Sequence, residues 1–330
     1  MDLEFSGGYS AENARSARGH INRQLLSDLR RCAQVARRSL PRQSNALLVQ
    51  LERLSAEVRL PPLLFLWQQA LLAALREQSI AAVTRALDAL AAVVAAGPEA
   101  PQDLRLESIV PGAPMTAALE EISLQELFAD GEPIREGLVV HEIKFEPAAG
   151  AGFTVWVDEA IVLADEASSE IAAEVRELVT EVQFYRGPGP SLSSSRTFGT
   201  IFMALPDGTY DPVHYVLEHL MHEASHHQLF ALMAADPMLL NPDGERYYSP
   251  IRSDPRPLYG IYHQAFVLSR LVYLWDLLAD RGHRWAKERT NYDRGQFRSA
   301  DAVLREHGRF TDAGRRVPDS CRDLVESTRV

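Results

Sequence analysis

The sequence predicts an α+β fold that is mainly helical: an N-terminal helical layer, a small central sheet, and C-terminal helices that carry a metal site. Three observations predict it. Apolar residues recur at three- and four-residue spacing through most of residues 10–97. Beyond Gly97 and Pro98 the period shortens, and runs of β-formers alternate with Gly, Pro and Asp. From residue 211 the helical period returns and continues towards the end of the chain.

In order along the chain, "SAENARSARGHINRQLLSDLRRCAQVARR", "NALLVQLERLSAEV" and "SIAAVTRALDALAAVVAAG" read as helices, the first opening near Ser10 and Glu12. The turn-rich joint "PEAPQD" separates a helical region, 1–98, from an α+β region, 99–330. In the second region "LRLESIV", "LVVHEIKF", "FTVWVD", "AIVLA" and "TIFMALP" read as strands, and "ASSEIAAEVRELVTEVQFY" as one amphipathic helix starting at Ser168 or Ser169. "RGPGPSLSSSRTFG" reads as a solvated loop. Helices follow over 211–235 and 257–281, with shorter pieces to the end.

Composition excludes several classes. With 330 residues and 46% apolar content the chain can bury a full core. Its longest apolar run, "VRLPPLLFLWQQALLAAL", is broken by prolines and glutamines before the roughly 20 residues a bilayer span needs, and the N-terminus lacks a signal pattern. A soluble, cytoplasmic protein without a membrane partner is the expectation. Cys32 and Cys321 suit reduced packing residues rather than a disulfide or a thiolate site. Net charge is +4 over residues 1–60, −17 over 61–230 and +2 over 231–330. A net acidic chain of this kind argues against nucleic acid, which requires clustered cations.

The chemistry concentrates in "HYVLEHLMHEASHHQLF". His222 and His226 stand four apart on a predicted helix, so both imidazoles project from one face and can meet one cation. Glu223 completes H-E-x-x-H, the pattern in which zinc hydrolases use the Glu as general base on metal-bound water. His219 lies on the same stripe and reads as packing, while His227 points elsewhere and reads as solvated. A third ligand is needed. The metzincin pattern would place Gly and His where Leu229 and Leu232 stand. Glu245 has the spacing of a peptidase Glu but sits in the turn "NPDGERYY". His263 opens the next strong helix and is the third ligand this reading selects. Three imidazoles accept zinc or ferrous iron alike.

H-E-x-x-H followed by "YYSPIRSDPRPLYGIYHQAF" resembles the αKG-HExxH-type peptide β-hydroxylases. The opening "SAENARSARGHINRQLL" and the "GTIFMALP" segment are also similar, although only the two central motifs are specific. The resemblance implies a mononuclear non-haem Fe(II), 2-oxoglutarate as cosubstrate, and hydroxylation of a ribosomal precursor peptide. It makes His222 and His226 iron ligands, with His263 the third, and leaves Glu223 to orient a ligand or water or to approach the metal. Holding the cosubstrate's distal carboxylate suits a guanidinium. Arg252 and Arg256, in the Pro-stiffened loop before the second ligand helix, and Arg270, seven residues after His263, are the candidates; pairing with Asp254 or helix capping is the competing role. Tyr247, Tyr248, Tyr259 and Tyr262 crowd the same region. The alternatives are a zinc metallopeptidase and a non-catalytic precursor-binding protein.

Overall fold

A computed structural model of the protein describes residues 3–97, 100, 103–129, 132–133, 144–150, 152–189, 191–249 and 255–328. It is α+β and mainly helical, as the periodicities predict. Two compact units interleave in sequence: a sheet unit, Arg15–Ala149 with Arg176–Ala204, and a helical unit, Met1–Ala14 with Gly150–Val175 and Leu205–Val330.

The sheet unit contains most of α1 (Ala11–Ala36), then α2 (Pro41–Leu51), α3 (Pro62–Arg76), α4 (Ile80–Ala96) and α5 (Pro114–Leu127). Its strands are β1 (Arg105–Ser108), β2 (Phe128–Ala129), β3 (Glu132–Pro133), β4 (Glu146–Pro147), β5 (Glu181–Arg186), β6 (Ser191–Ser193) and β7 (Thr200–Ala204). The main sheet runs β1-β5-β7-β6, with β4 also on β5, and β2 pairs β3 separately. β1 and β7 flank β5 in parallel, with Val182 beside Leu106 and Ile201. A strand covered on both sides reads as a near-continuous buried run, and residues 181–185 are all buried. Tyr185 and Phe202 pack with Ile109, Met115 and Leu119 to form the core under α3 and α5.

The helical unit holds α6 (Phe153–Ala167), most of α7 (Ser169–Leu178), α8 (Pro212–Ala235), α9 (Leu258–Asp280), α10 (Arg284–His307) and α11 (Asp312–Ser327). α9 is buried at 16 of its 23 positions, too many for one amphipathic face. It is the central helix, packed by α6, α8, α10 and α11. α8 begins at Asp211, whose carboxylate accepts from the Val213 and His214 amides at 2.9 and 3.0 Å.

Four local readings are corrected. "FTVWVD" and "AIVLA" are not strands but one helix, α6, because Phe153, Val157, Ala160, Ala164 and Ala167 share a buried helical face. The long helix expected from Ser168 or Ser169 does start at Ser169 but stops at Leu178, and "EVQFY" is β5. There the amides of Thr180 and Glu181 both turn to the Gly199 carbonyl, at 2.8 and 3.1 Å, and sheet pairing on both sides overrides helical propensity. "NALLVQLERLSAEV" is helical only to Leu51, whose carbonyl accepts from Arg30 Nη2 at 3.1 Å. The Ser-rich stretch contains β6, paired antiparallel with β7. Most of "LVVHEIKF" lies outside the described residues.

No helix among the described residues is long and apolar enough to cross a membrane. α3, which contains the chain's longest apolar run, buries Leu64, Phe65, Leu71 and Ala74.

Candidate metal centre

α8 presents His222 and His226 one turn apart, and α9 brings His263 against them. His226 lies between the other two: its Nδ1 is 3.0 Å from His263 Nδ1 and its Nε2 is 3.2 Å from His222 Nε2. The sequence-selected trio therefore meets. The contacts form a chain through opposite nitrogens of His226 rather than a cage, and among the described residues no three His, Cys, Asp or Glu side chains form a ready metal cage.

The donor set nevertheless fits a transition metal in its chemistry. His263 is buried, and its Nε2 has no hydrogen-bond partner among the described residues. A buried imidazole nitrogen left without a partner is costly unless something else engages it. Burial first, and the neighbouring His222 second, push the His263 pKa down to about 3. Burial also drives His226 well below its ordinary value, reinforced by His222, His263 and His227. Both rings are thus neutral near pH 7, which is the form that coordinates a metal.

The walls of the site are aromatic. Tyr259 lies with its ring centroid 4.3 Å from that of His263, and Phe230 packs 5.3 Å from His263 and 6.1 Å from His226. Phe230 was legible in principle, since it follows His226 by one helical turn on the same face. His219, read as packing, sits edge-on to Tyr215 at 4.4 Å, and burial, then His222 and Arg289, lower its pKa to about 3. His227 is not solvated but fully buried, because that side of α8 also faces the packed interior. Glu223 is buried at 4% exposure. Asp293 on α10 carried no sequence signal. Burial raises its pKa against the nearby Arg289 cation, and it accepts from Trp275 Nε1 at 2.8 Å.

The arginine candidates separate. Arg252 lies outside the described residues. Arg256 is half-buried; its backbone exchanges hydrogen bonds with Tyr247 at 2.8 and 2.9 Å, and its side chain crosses Gly260. A Cβ at Gly260 would stand 3.6 Å from Arg256 Cδ and 4.0 Å from Nη1. Gly260 precedes His263 by about one helical turn, so this guanidinium lies beside the first turn of α9, on the approach to His263. Arg270 instead has a structural partner set. It is fully buried, ion-paired to Glu174, bonded through Nε to Ser225 Oγ at 2.9 Å, and donates Nη1 to the Gly7 and Gly8 carbonyls at 3.2 and 3.0 Å.

Glu245, the peptidase-type alternative, is engaged elsewhere. Both its oxygens accept from Arg309 Nη2, at 2.9 and 3.0 Å, and it also takes the Tyr247 hydroxyl. Tyr262 is buried, donating to the Gly314 carbonyl at 2.8 Å, whereas Tyr248 and Tyr259 are exposed.

The histidine cluster sets a pH dependence. In the unfolded chain each His binds a proton below about 6.5, whereas folded His263 and His219 resist protonation down to about 3. Their contribution to stability is therefore complete above about pH 6.5 and is lost progressively as pH falls towards 3. Urea midpoints measured in chelator across that window should fall with pH, and less steeply in a His219→Phe, His263→Phe variant. Equal slopes in the two proteins would show that other groups govern acid unfolding.

Compared with known proteins, the chain matches no family model and no curated protein sequence.

Proposed function

We propose that the protein is a mononuclear non-haem iron(II), 2-oxoglutarate-dependent oxygenase that hydroxylates a side-chain β-carbon in a ribosomally synthesised precursor peptide in the cytoplasm. The observation that carries the reading is the meeting of His222, His226 and His263 on two helices, with a nitrogen on buried His263 that has no hydrogen-bond partner among the described residues. The sequence block around them, which resembles the peptide β-hydroxylases, supplies the choice of iron over zinc. Bound iron would supply the activation of oxygen; His222, His226 and His263 would hold it. Tyr259 and Phe230 pack against the imidazoles and restrict their motion. Arg256 supplies a cation for the distal carboxylate of 2-oxoglutarate.

Mass spectrometry of the precursor peptide, after incubation with the protein, Fe(II), 2-oxoglutarate and oxygen, tests the proposal. The intact peptide should gain one oxygen atom, and His222→Ala, His226→Ala and His263→Ala should each retain less metal and give no product. Cleavage into two fragments without 2-oxoglutarate would establish the zinc peptidase instead. Tight peptide binding without either change would leave a non-catalytic binding protein.

A further inference from the structure

The turn between α1 and α2 carries a run of arginines, and nothing in the oxygenase chemistry uses it. Residues 29–51 contain Arg30, Arg31, Arg37, Arg38 and Arg42 and no acid, in a chain of net charge −11. Arg30 is engaged by the Leu51 carbonyl and Arg31 lies 3.5 Å from Asp28. Arg37, Arg38 and Arg42 are exposed, and among the described residues they have no ion-pair partner. The acids that bracket them in sequence are Asp28 and Glu52, each roughly 12–15 Å away along its helix.

Helix electrostatics explains only part of this cluster. Arg37 and Arg38 follow the C-terminus of α1, where cations oppose the negative end of the dipole. Arg42 is in the first turn of α2, where a cation is disfavoured. That helix starts at Leu40 and Pro41 without a side-chain cap, so its opening amides add to the positive potential. The cluster is thus a surface on which like charges accumulate without internal compensation.

We infer that this surface docks an acidic peptide segment with apolar residues between its carboxylates. Charge complementarity identifies the carboxylates, and exposed Val35 and Val49, on the same two helices, supply apolar contacts. Residues 21–54 contain no aromatic side chain, so the turn and its arginines lack a Phe, Tyr or Trp stacking platform for nucleic-acid bases. A groove along α1 shares Arg31 and is lined also by His20, Arg23, Gln24, Ser27 and Asp28, so its charge is mixed and the docking surface proper is the turn. The inference does not depend on the oxygenase reading, because the docking residues belong to the sheet unit and the metal-site residues to the helical unit.

The test is fluorescence anisotropy of a short labelled peptide alternating Glu with Leu, titrated with the full chain in the presence of chelator. Saturable binding that weakens with salt is expected. It should weaken about tenfold or more in the triple variant Arg37→Glu, Arg38→Glu, Arg42→Glu. The same charge change at exposed Arg284, Arg298 and Arg305 should leave binding within about twofold. Circular dichroism of both variants checks that they fold. No binding, equal loss in the two triple variants, or equal or tighter binding of a thymidine oligonucleotide or of anionic phosphatidylserine vesicles overturns the inference. Failure here leaves the hydroxylation assay unaffected, and failure there leaves this one standing.

Discussion

Replacing Glu174 by Ala should lower unfolding stability by about 3–5 kcal/mol, the cost of leaving a buried cation without its counter-ion. Arg270 is 0% exposed, and Glu174 is the acid with which it pairs. The same carboxylate accepts from the Ser10 amide at 2.9 Å, and the Arg270 guanidinium lies 3.7 Å from the Tyr9 ring centroid while donating to the Gly7 and Gly8 carbonyls. One ion pair therefore fastens the N-terminal segment to α7 and α9, and losing it releases several contacts together. Burial raises the Glu174 carboxyl pKa and the Arg270 charge opposes that rise, so removing either partner penalises the other. Urea unfolding of Glu174→Ala, Arg270→Ala and the apolar pair Glu174→Leu, Arg270→Met measures this. The pair should be less destabilised than either Ala variant, because no buried charge is left alone. A loss below about 1 kcal/mol in Glu174→Ala would mean that the cation is compensated by something else.

Arg256→Ala should weaken 2-oxoglutarate binding by roughly 10- to 150-fold, equivalent to about 1.5–3 kcal/mol for a lost charge-assisted contact, with iron occupancy unchanged. Arg256 is favoured over Arg270 because its side chain lies across Gly260, one turn before His263, rather than within a buried network. Lys should restore only part of the affinity, since it lacks the planar fork. Titration of 2-oxoglutarate into anaerobic ferrous protein, read by the charge-transfer absorption of the chelate, is the measurement. An unchanged affinity in Arg256→Ala would move the role to Arg252, whose own Ala variant belongs in the same titration. Arg270→Ala should be distinguished by a loss of stability rather than by affinity alone.

The legible parts of this protein were those whose cause lies within one or two helical turns. His222 and His226 share a face of α8 because four residues nearly complete a turn, and that relation holds before any packing is known. The capped start of α8 at Asp211 and that of α4 at Ser79, which accepts from the Ala82 amide at 3.4 Å, are similarly local. β5 was hidden because "EVQFY" continues a helical apolar spacing, and its strand geometry depends on β1 and β7 lying on either side. α6 was hidden for the opposite reason: short windows of Val, Trp and Ile resemble strands until the five-residue buried face is seen whole.

For the site, the sequence by itself determined that His222 and His226 share one helical face and placed His263 at the opening of the following helix. Tertiary structure decided that His263 reaches His226, that His227 is buried, that Glu245 belongs to Arg309, and that Arg270 belongs to Glu174. These pairings join residues between 37 and 96 positions apart. Over such separations neither helical period nor charge alternation carries information about who meets whom. The partner of a buried charge is chosen by which helices pack together, and the low dielectric of that packed interior then makes the choice costly to undo.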